Sequence, residues 1–86
     1  MHYCYILRSK INGKLYIGFT SDLRRRLEEH NKKQSKSTKS GAPFELVYYE
    51  AYKSSKDARD RERKLKMFKQ GYRRIRERLR HSLNEA

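Results

Sequence analysis

Short apolar segments, rich in aromatic and β-branched side chains, predict the strands of this chain. Two of them, Tyr3–Leu7 and Lys14–Phe19, are separated by Asn12-Gly13, a pair that favours the type I′ turn of an antiparallel hairpin. A third segment, Phe44–Tyr52, has apolar residues on both faces and is predicted as a strand that is well covered. The pattern therefore predicts a hairpin and one further strand.

Apolar residues recur at helical spacing in other parts of the chain. The lysine-rich segment Lys32–Pro43 has no large apolar side chain and is predicted as a loop. The order β-β-α-β-α-α predicts one α+β domain over residues 1–86, a small three-stranded antiparallel sheet flanked by helices. The predicted helices are about Asp22–Lys32, with Ser21 or Asp22 as the N-cap, about Lys56–Lys66, and about Gly71–Leu83.

The first predicted helix carries charge beside its leucines. At 100° per residue, Leu23 and Leu27 lie about 40° apart and define the buried stripe. Arg26 and His30, four residues apart, fall at the edge of that stripe. A purely structural helix would direct its charges outward, as this one does with Arg24, Arg25, Glu28 and Glu29. Arg26 and His30 are therefore candidate functional residues.

The second predicted helix places a carboxylate on its inner side. Glu62 lies between Ala58 and Leu65 on the face directed to the core. A carboxylate there is costly unless it pairs with a cation or holds a metal. Two interpretations stay open, an internal salt bridge with Arg26 as candidate partner, and a metal site.

The charge balance predicts a polyanionic partner. Lys plus Arg exceed Asp plus Glu by 13 in 86 residues, which favours nucleic acid over a merely solubilising surface. The single Cys4 excludes an internal disulfide, and three histidines give no zinc cluster, which fits a cytoplasmic protein. No apolar run approaches the ~18 residues of a membrane span, and no signal peptide is visible, so no membrane partner is expected.

The predicted hairpin contributes phenols and one open position. Tyr3 and Tyr5 share one face of the first strand, and Tyr16 and Gly18 share one face of the second. Tyrosines on such strands usually serve packing, whereas glycine often marks close approach by another group. Together with a guanidinium, an imidazole and a carboxylate, these are the parts of a metal-assisted phosphodiesterase.

At these residues the chain resembles the GIY-YIG nuclease family. Tyr16-Ile17-Gly18 matches the second signature element, and Tyr3-Cys4-Tyr5 stands where the family usually has Gly-Ile-Tyr. Arg26 and His30 follow Tyr16 by 10 and 14 positions, and Glu62 matches the family's metal-binding glutamate. Phe19 stands where the related excision-repair nucleases have lysine.

The resemblance implies hydrolysis of a phosphodiester with one divalent ion, Mg²⁺ or Mn²⁺, held by Glu62. It implies that Arg26 neutralises charge on the phosphate. It further implies that Tyr5, Tyr16 and His30 position and deprotonate the attacking water, a phenol being a base only if nearby cations depress its pKa. Further substrate contacts are expected from Gly18, Arg25, Lys36, Lys39 and Arg61.

The leading hypothesis is a DNA endonuclease that acts on duplex or branched DNA. It would be structure-dependent or weakly sequence-specific, would serve repair or recombination, and could rely on a partner protein for target choice. The alternative is a catalytically silent nucleic-acid-binding module of the same fold. A basic ribosome-associated or assembly protein would explain the charge but not Glu62 and His30.

Overall fold

A three-stranded antiparallel sheet forms the centre of the computed structural model, which describes residues 1–32, 39–67 and 69–84. The strand order is β2-β1-β3, and the prediction of an α+β fold is confirmed. The strands are β1 (His2–Ser9), β2 (Leu15–Thr20) and β3 (Phe44–Tyr52), and the helices are α1 (Leu23–Asn31), α2 (Ser55–Met67), α3 (Lys69–Arg78) and α4 (Arg80–Asn84).

The two faces of the sheet are covered by different helices because alternate residues of β1 point in opposite directions. Tyr5 and Leu7 pack with Phe44 and with the leucines of α1 on one face. Cys4 and Ile6 pack on the other face with apolar residues of α2 and α3. Burying an aliphatic side chain such as Ile6 stabilises the fold by roughly 1.5–3 kcal/mol.

The central strand is β1, and this corrects the expectation that the third strand is well covered. Since β1 pairs with both neighbours, β3 lies at an edge of the sheet. Only the start of β3 is buried, at Phe44, whereas Tyr49 is 52% exposed. The apolar residues of β3 are partly buried against both core clusters, Leu46 in one and Val47, Tyr48 and Tyr52 in the other, while the edge position leaves the rest of the strand open to solvent.

The turn between β1 and β2 is longer than the predicted two-residue turn. The Ser9 N–H donates to the Lys14 carbonyl at 2.9 Å, and the Gly13 N–H donates to the Ser9 carbonyl at 3.0 Å. Gly13 has a φ of 73°, which glycine adopts without strain. The Ser9 hydroxyl oxygen also accepts from the N–H groups of Ile11 and Asn12. These bonds satisfy the extra turn residues and so permit the longer connection.

Two further predictions are refined at the helix ends. Asp22, rather than Ser21, caps α1, because its Oδ1 accepts from the Arg25 N–H at 3.1 Å. The single helix predicted over about Gly71–Leu83 is divided at Leu79 into α3 and α4. The Leu83 N–H still donates to the Leu79 carbonyl at 2.8 Å, so helical hydrogen bonding resumes after the break.

Candidate active site

A phenol and an imidazole from distant parts of the chain meet beneath the surface. The Tyr5 hydroxyl lies 3.1 Å from Nε2 of His30, and the two rings are arranged edge to face. Each residue is 4% exposed. Next to His30, the Asn31 side-chain amide bonds both the N–H and the carbonyl of Phe44, at 2.6 and 3.2 Å. These two hydrogen bonds join the end of α1 to the start of β3 and thereby hold His30 over the sheet.

The ring of Tyr5 lies directly over Gly18, its partner in the β1–β2 register. A Cβ built on Gly18 would collide with Cζ and the hydroxyl oxygen of Tyr5. The close approach expected at this glycine is therefore made by the protein's own phenol. The expectation of an open position at Gly18 is wrong, because Tyr5 fills that space. The substrate contact expected at Gly18 stays a prediction.

Arg26 adds a cation beside the Tyr5 hydroxyl. Its Nη1 also lies 3.2 Å from Oε1 of Glu29, and both side chains are about one-third exposed. The contact with the Tyr5 hydroxyl, more than that with Glu29, raises the pKa of Arg26. The helical projection predicted that Glu29 points to water. In the structure it is half-buried beside Arg26. Arg26 is the group through which this cluster reaches the surface.

The protonation states of the buried pair follow from its surroundings. Burial raises the pKa of Tyr5 although Arg26 opposes this, so Tyr5 is a neutral phenol at neutral pH. Burial, and then the positive charge of Arg26, lower the pKa of His30 below its usual value. A neutral His30 can accept the hydrogen of the Tyr5 hydroxyl at Nε2. A tyrosine can act as a base in its ionised form only if its pKa is depressed. The pKa of Tyr5 is raised instead, so Tyr5 does not meet that condition.

Glu62 approaches the site from α2, on the opposite side of the sheet from α1. Its carboxylate is close enough to raise the pKa of Tyr5, although burial of the phenol contributes more. The predicted internal pair with Arg26 is not formed. Glu62 lies 3.3 Å from Nζ of Lys66, one turn along α2, and its side chain is 21% exposed. It is a half-buried carboxylate at the border of the core, not within it.

The donor set suits a hard, partly hydrated cation. Within the described ranges, no group of three His, Cys, Asp or Glu side chains is arranged to hold a metal. Mg²⁺ is usually bound through one or two carboxylates, with waters and substrate phosphate oxygens as the other ligands. A single half-buried carboxylate at Glu62 fits that pattern and would hold the ion weakly until a phosphate is also bound.

Tyr16 shares the sheet face of Tyr5 but has a different neighbour. It pairs with Leu7 across the two strands, and this pair lies two residues along the strands from the Tyr5–Gly18 pair. Its half-buried ring packs edge to face against Phe44, with ring centroids 5.1 Å apart. The structure thus brings Tyr5, Arg26 and His30 into contact. Tyr16 packs on Phe44, whose ring also contacts His30, and Glu62 acts on Tyr5 through its charge.

The other predicted substrate contacts are spread over the surface. Arg25 is exposed on α1. Arg61 donates from Nε to Glu50 at 3.0 Å and borders a pocket of about 250 Å³, lined also by Gly71, Arg74, Ile75 and Arg78. Lys36 lies outside the described residues, and so does the side chain of Lys39, whose backbone begins a short 3₁₀ turn, Lys39–Gly41.

A half-buried polar network surrounds Glu50, and sequence reasoning did not identify it. The hydroxyls of Tyr48 and Tyr52 both donate to its carboxylate, and Arg61 adds the ion pair. These bonds lower the pKa of Glu50 against the opposing effect of burial, which is the largest single influence. The spacing of Tyr48, Glu50 and Tyr52, two residues apart on one strand face, is the signal that could have revealed it.

The fold and the clustered phenol, guanidinium and imidazole define a small α+β domain of nuclease type. The chain matches the GIY-YIG catalytic domain over residues 1–77, and it belongs to that family. The helices of the described segments are too short or too polar to cross a membrane. Family membership supports a nuclease in general, with DNA as the general class of substrate and divalent ions as the general class of cofactor.

The relatives are small UPF0213 proteins of bacteria. The chain is 40% identical over 68 residues to one from Staphylococcus saprophyticus, covering 78% of this chain and 82% of the relative. It is 39% identical over 66 residues to one from Bacillus pumilus, covering 76% of this chain and 66% of that protein. A solution NMR structure of a UPF0213 protein from Bacillus halodurans is 36% identical, with a TM-score of 0.54, covering 93% of this chain and 82% of that one.

Proposed function

We propose that this protein is a metal-dependent endonuclease that hydrolyses phosphodiester bonds in DNA. It acts on duplex or branched DNA according to structure or with weak sequence preference, in repair or recombination. The observation that carries the proposal is the Tyr5–His30 pair, which lies beside the Arg26 guanidinium and in the field of Glu62. A module that only binds DNA needs no buried phenol–imidazole pair next to a cation.

Arg26 is proposed to bind the phosphate at which the reaction occurs. Its guanidinium is partly exposed and already oriented by Tyr5 and Glu29. A planar guanidinium can donate two parallel hydrogen bonds to phosphate oxygens. Such bonds strengthen as negative charge grows in the transition state, so Arg26 would act on the rate more than on affinity.

Tyr5 and His30 are proposed to handle the proton of the attacking water. The Tyr5 hydroxyl oxygen accepts a proton from that water while its own hydrogen passes to Nε2 of His30, which is neutral at physiological pH. This transfer does not require a free phenolate, in agreement with the raised pKa of Tyr5. Tyr16, half-buried on the same sheet face, is proposed to orient the water rather than to take its proton.

Glu62 is proposed to hold one divalent ion, Mg²⁺ or Mn²⁺. When bound, such an ion neutralises charge on the phosphate and polarises its ligands. On binding the ion, the carboxylate would give up its ion pair with Lys66, an exposed contact between residues one helical turn apart. Since exposed pairs of this kind contribute about 0–1 kcal/mol, the exchange costs little.

The proposal is tested by incubating the protein with branched, nicked and supercoiled DNAs, with and without Mg²⁺ or Mn²⁺. Cleavage by the wild type that needs the ion, and that Glu62→Gln loses, is the expected result. Cleavage that is equal in the two proteins would show a contaminating nuclease or another metal site and would contradict the assignment of Glu62.

A catalytically silent DNA-binding module is the second candidate. The observations that favour it are the 4% exposure of both Tyr5 and His30 and the ion pair that engages Glu62. Such a module would bind every DNA in the same panel and cleave none of them with either ion. If cleavage appears only when a cell extract is added, a partner protein that directs target choice becomes the object of the next experiment.

A further inference from the structure

Arg59 holds its guanidinium against an aromatic ring at the end of β2. Its Cζ lies 5.4 Å from the centroid of the Phe19 ring. The same ring lies parallel to the His2 imidazole, at a centroid distance of 6.3 Å and an interplanar angle of 6°. A cation over an aromatic face is attracted by the ring's quadrupole. Phe19 therefore orients the end of an otherwise long and flexible side chain.

No carboxylate of the described residues neutralises the charge of Arg59, in contrast to four other arginines. Each of four arginines lies within ion-pair distance of a carboxylate, namely Arg8 with Glu45, Arg26 with Glu29, Arg61 with Glu50 and Arg63 with Asp60. Among the described residues, Arg59 contacts a ring and has no carboxylate within that distance. Its hydrogen-bond donors thus stay available while its position is set.

The position of this cation relates it to the candidate active site. Arg59 precedes Glu62 by three residues on α2, so the two side chains leave the helix as neighbours. Phe19 pairs with Cys4 and so points to the face of the sheet that α2 covers, opposite the face on which Tyr5 lies over Gly18. The guanidinium therefore lies at the end of β2 on the α2 side of the sheet, the side from which Glu62 approaches the site. A ring that covers one face of a guanidinium leaves its N–H edge free for phosphate oxygens.

We propose that Arg59 is a substrate-positioning residue that binds a phosphate of the DNA strand flanking the phosphate that is cut. This inference rests on the function proposed above and specifies how the strand is held. Arg26 acts at the reacting phosphate, whereas Arg59 acts at a neighbouring one and does not take part in the chemical step. Its removal therefore weakens binding and leaves turnover at saturating DNA nearly unchanged.

The test compares Arg59→Ala with Arg63→Ala, an exposed arginine of the same helix, so that each variant loses one formal charge. The expected Kd for a nicked duplex, measured by fluorescence anisotropy without divalent ion, rises about tenfold for Arg59→Ala, as for loss of one hydrogen-bonded charge. The slope of log K against log salt becomes shallower by about 0.9. Arg63→Ala moves Kd about twofold or less, and the kcat of Arg59→Ala stays within about twofold of the wild type.

Two further variants separate the role of the charge from that of the ring. Phe19→Leu keeps the cation and removes the surface that orients it, so Kd is expected between those of the wild type and Arg59→Ala. Phe19→Lys in the Arg59→Ala background returns a cation to this place and is expected to recover most of the lost affinity. Phe19→Leu in that background recovers none. Thermal melts of each variant establish that it is folded.

The outcomes distinguish this inference from the proposed function. If the wild type cleaves, Glu62→Gln does not, and Arg59→Ala binds DNA as Arg63→Ala does, the inference about Arg59 is overturned while the nuclease stands. If no DNA is cleaved by any form, the nuclease is overturned, and the binding measurements alone decide whether Arg59 holds a phosphate.

Discussion

Tyr5 lies so close over Gly18 that no larger residue fits at position 18 without displacing the phenol. The two residues face each other across the β1–β2 pair, and the same phenol reaches His30 with its hydroxyl, at 3.1 Å. Because Gly18 has no side chain, the Tyr5 ring can lie against β2 while its hydroxyl reaches His30 on α1. The last residue of the second signature element thus makes room for the buried Tyr5–His30 pair.

Gly18→Ala is expected to destabilise the protein by about 1–3 kcal/mol, the usual cost of overpacking. The added Cβ must displace a nearly buried ring. Urea denaturation measures the effect. Gly71→Ala is the matched control, because the nearest atom to its added Cβ is 4.0 Å away, and a helical glycine replaced by alanine gains about 0.5–1 kcal/mol. Equal stability of the wild type and Gly18→Ala would contradict the close approach.

Stability is expected to fall as the pH is lowered below about 6.5, the ordinary pKa of histidine, because of His30. The folded protein depresses the pKa of His30 by burial, so the unfolded chain takes up its proton first. The contribution is complete above the unfolded pKa and is lost as pH falls toward the folded one. Thermal melts between pH 7.5 and 5 measure it, and His30→Gln should show a weaker dependence. His81→Gln, changed at an exposed site, should retain the wild-type profile.

Arg26→Ala is expected to reduce the rate of cleavage by a factor on the order of 10²–10³, as for other preorganised donors. DNA affinity should change much less, because the interaction strengthens as charge develops on the phosphate. Arg25→Ala, at the adjacent exposed position of α1, removes the same charge. Single-turnover rates and Kd values of the two variants are the measurements. Equal losses in both would mean that the charge acts only by general attraction.

Glu62→Gln is expected to abolish cleavage that depends on Mg²⁺ while the protein stays folded. Its partner Lys66 is 53% exposed, so losing the pair should cost no more than about 1 kcal/mol. Melting curves and cleavage assays with and without Mg²⁺ measure both effects. Lys66→Ala is the companion variant, and it should retain cleavage because it leaves the carboxylate in place. A large metal-independent fall in Tm for Glu62→Gln would identify a structural role instead.

DNA binding is expected to depend steeply on salt. If about five phosphates are neutralised, log K should fall against log salt with a slope of roughly −4 to −5 on duplex DNA. Arg74 and Arg78 line the pocket beside Arg61, and the double variant Arg74→Ala/Arg78→Ala tests whether this pocket contributes. A slope shallower by about two units would show that it does. A wild-type slope near zero would remove the electrostatic basis of the predicted DNA partner.

The local features of the fold could be predicted from the sequence. The alternation in β1 and β2, the cap of α1 at Asp22 and the α+β order all appear in the structure. These features depend on contacts between residues two to four positions apart, which the chain order itself specifies. The same holds within α1, whose helical spacing places Arg26 and His30 on the side that meets Tyr5.

Contacts between elements could not be predicted in this way. The helical projection predicts Arg26 as a partner of Glu62, because both lie on inward helix faces. The two helices cover opposite faces of the sheet, so the pair does not form. Nor could the sequence show that Tyr5 is buried beside Arg26, or that the hydroxyls of Tyr48 and Tyr52 both bond Glu50. Such pairs depend on strand order and on the distance between layers.

The sequence by itself determined the elements, the strong positive charge and the set of side chains able to act on a phosphodiester. Only the tertiary structure decided which of them touch, that Tyr5 is a neutral phenol beside a neutral His30, and that Arg59 rests on Phe19. The physical reason is that periodicity orients a side chain relative to its own element. Its solvation and its partners, and hence its protonation state, depend on residues that are distant along the chain.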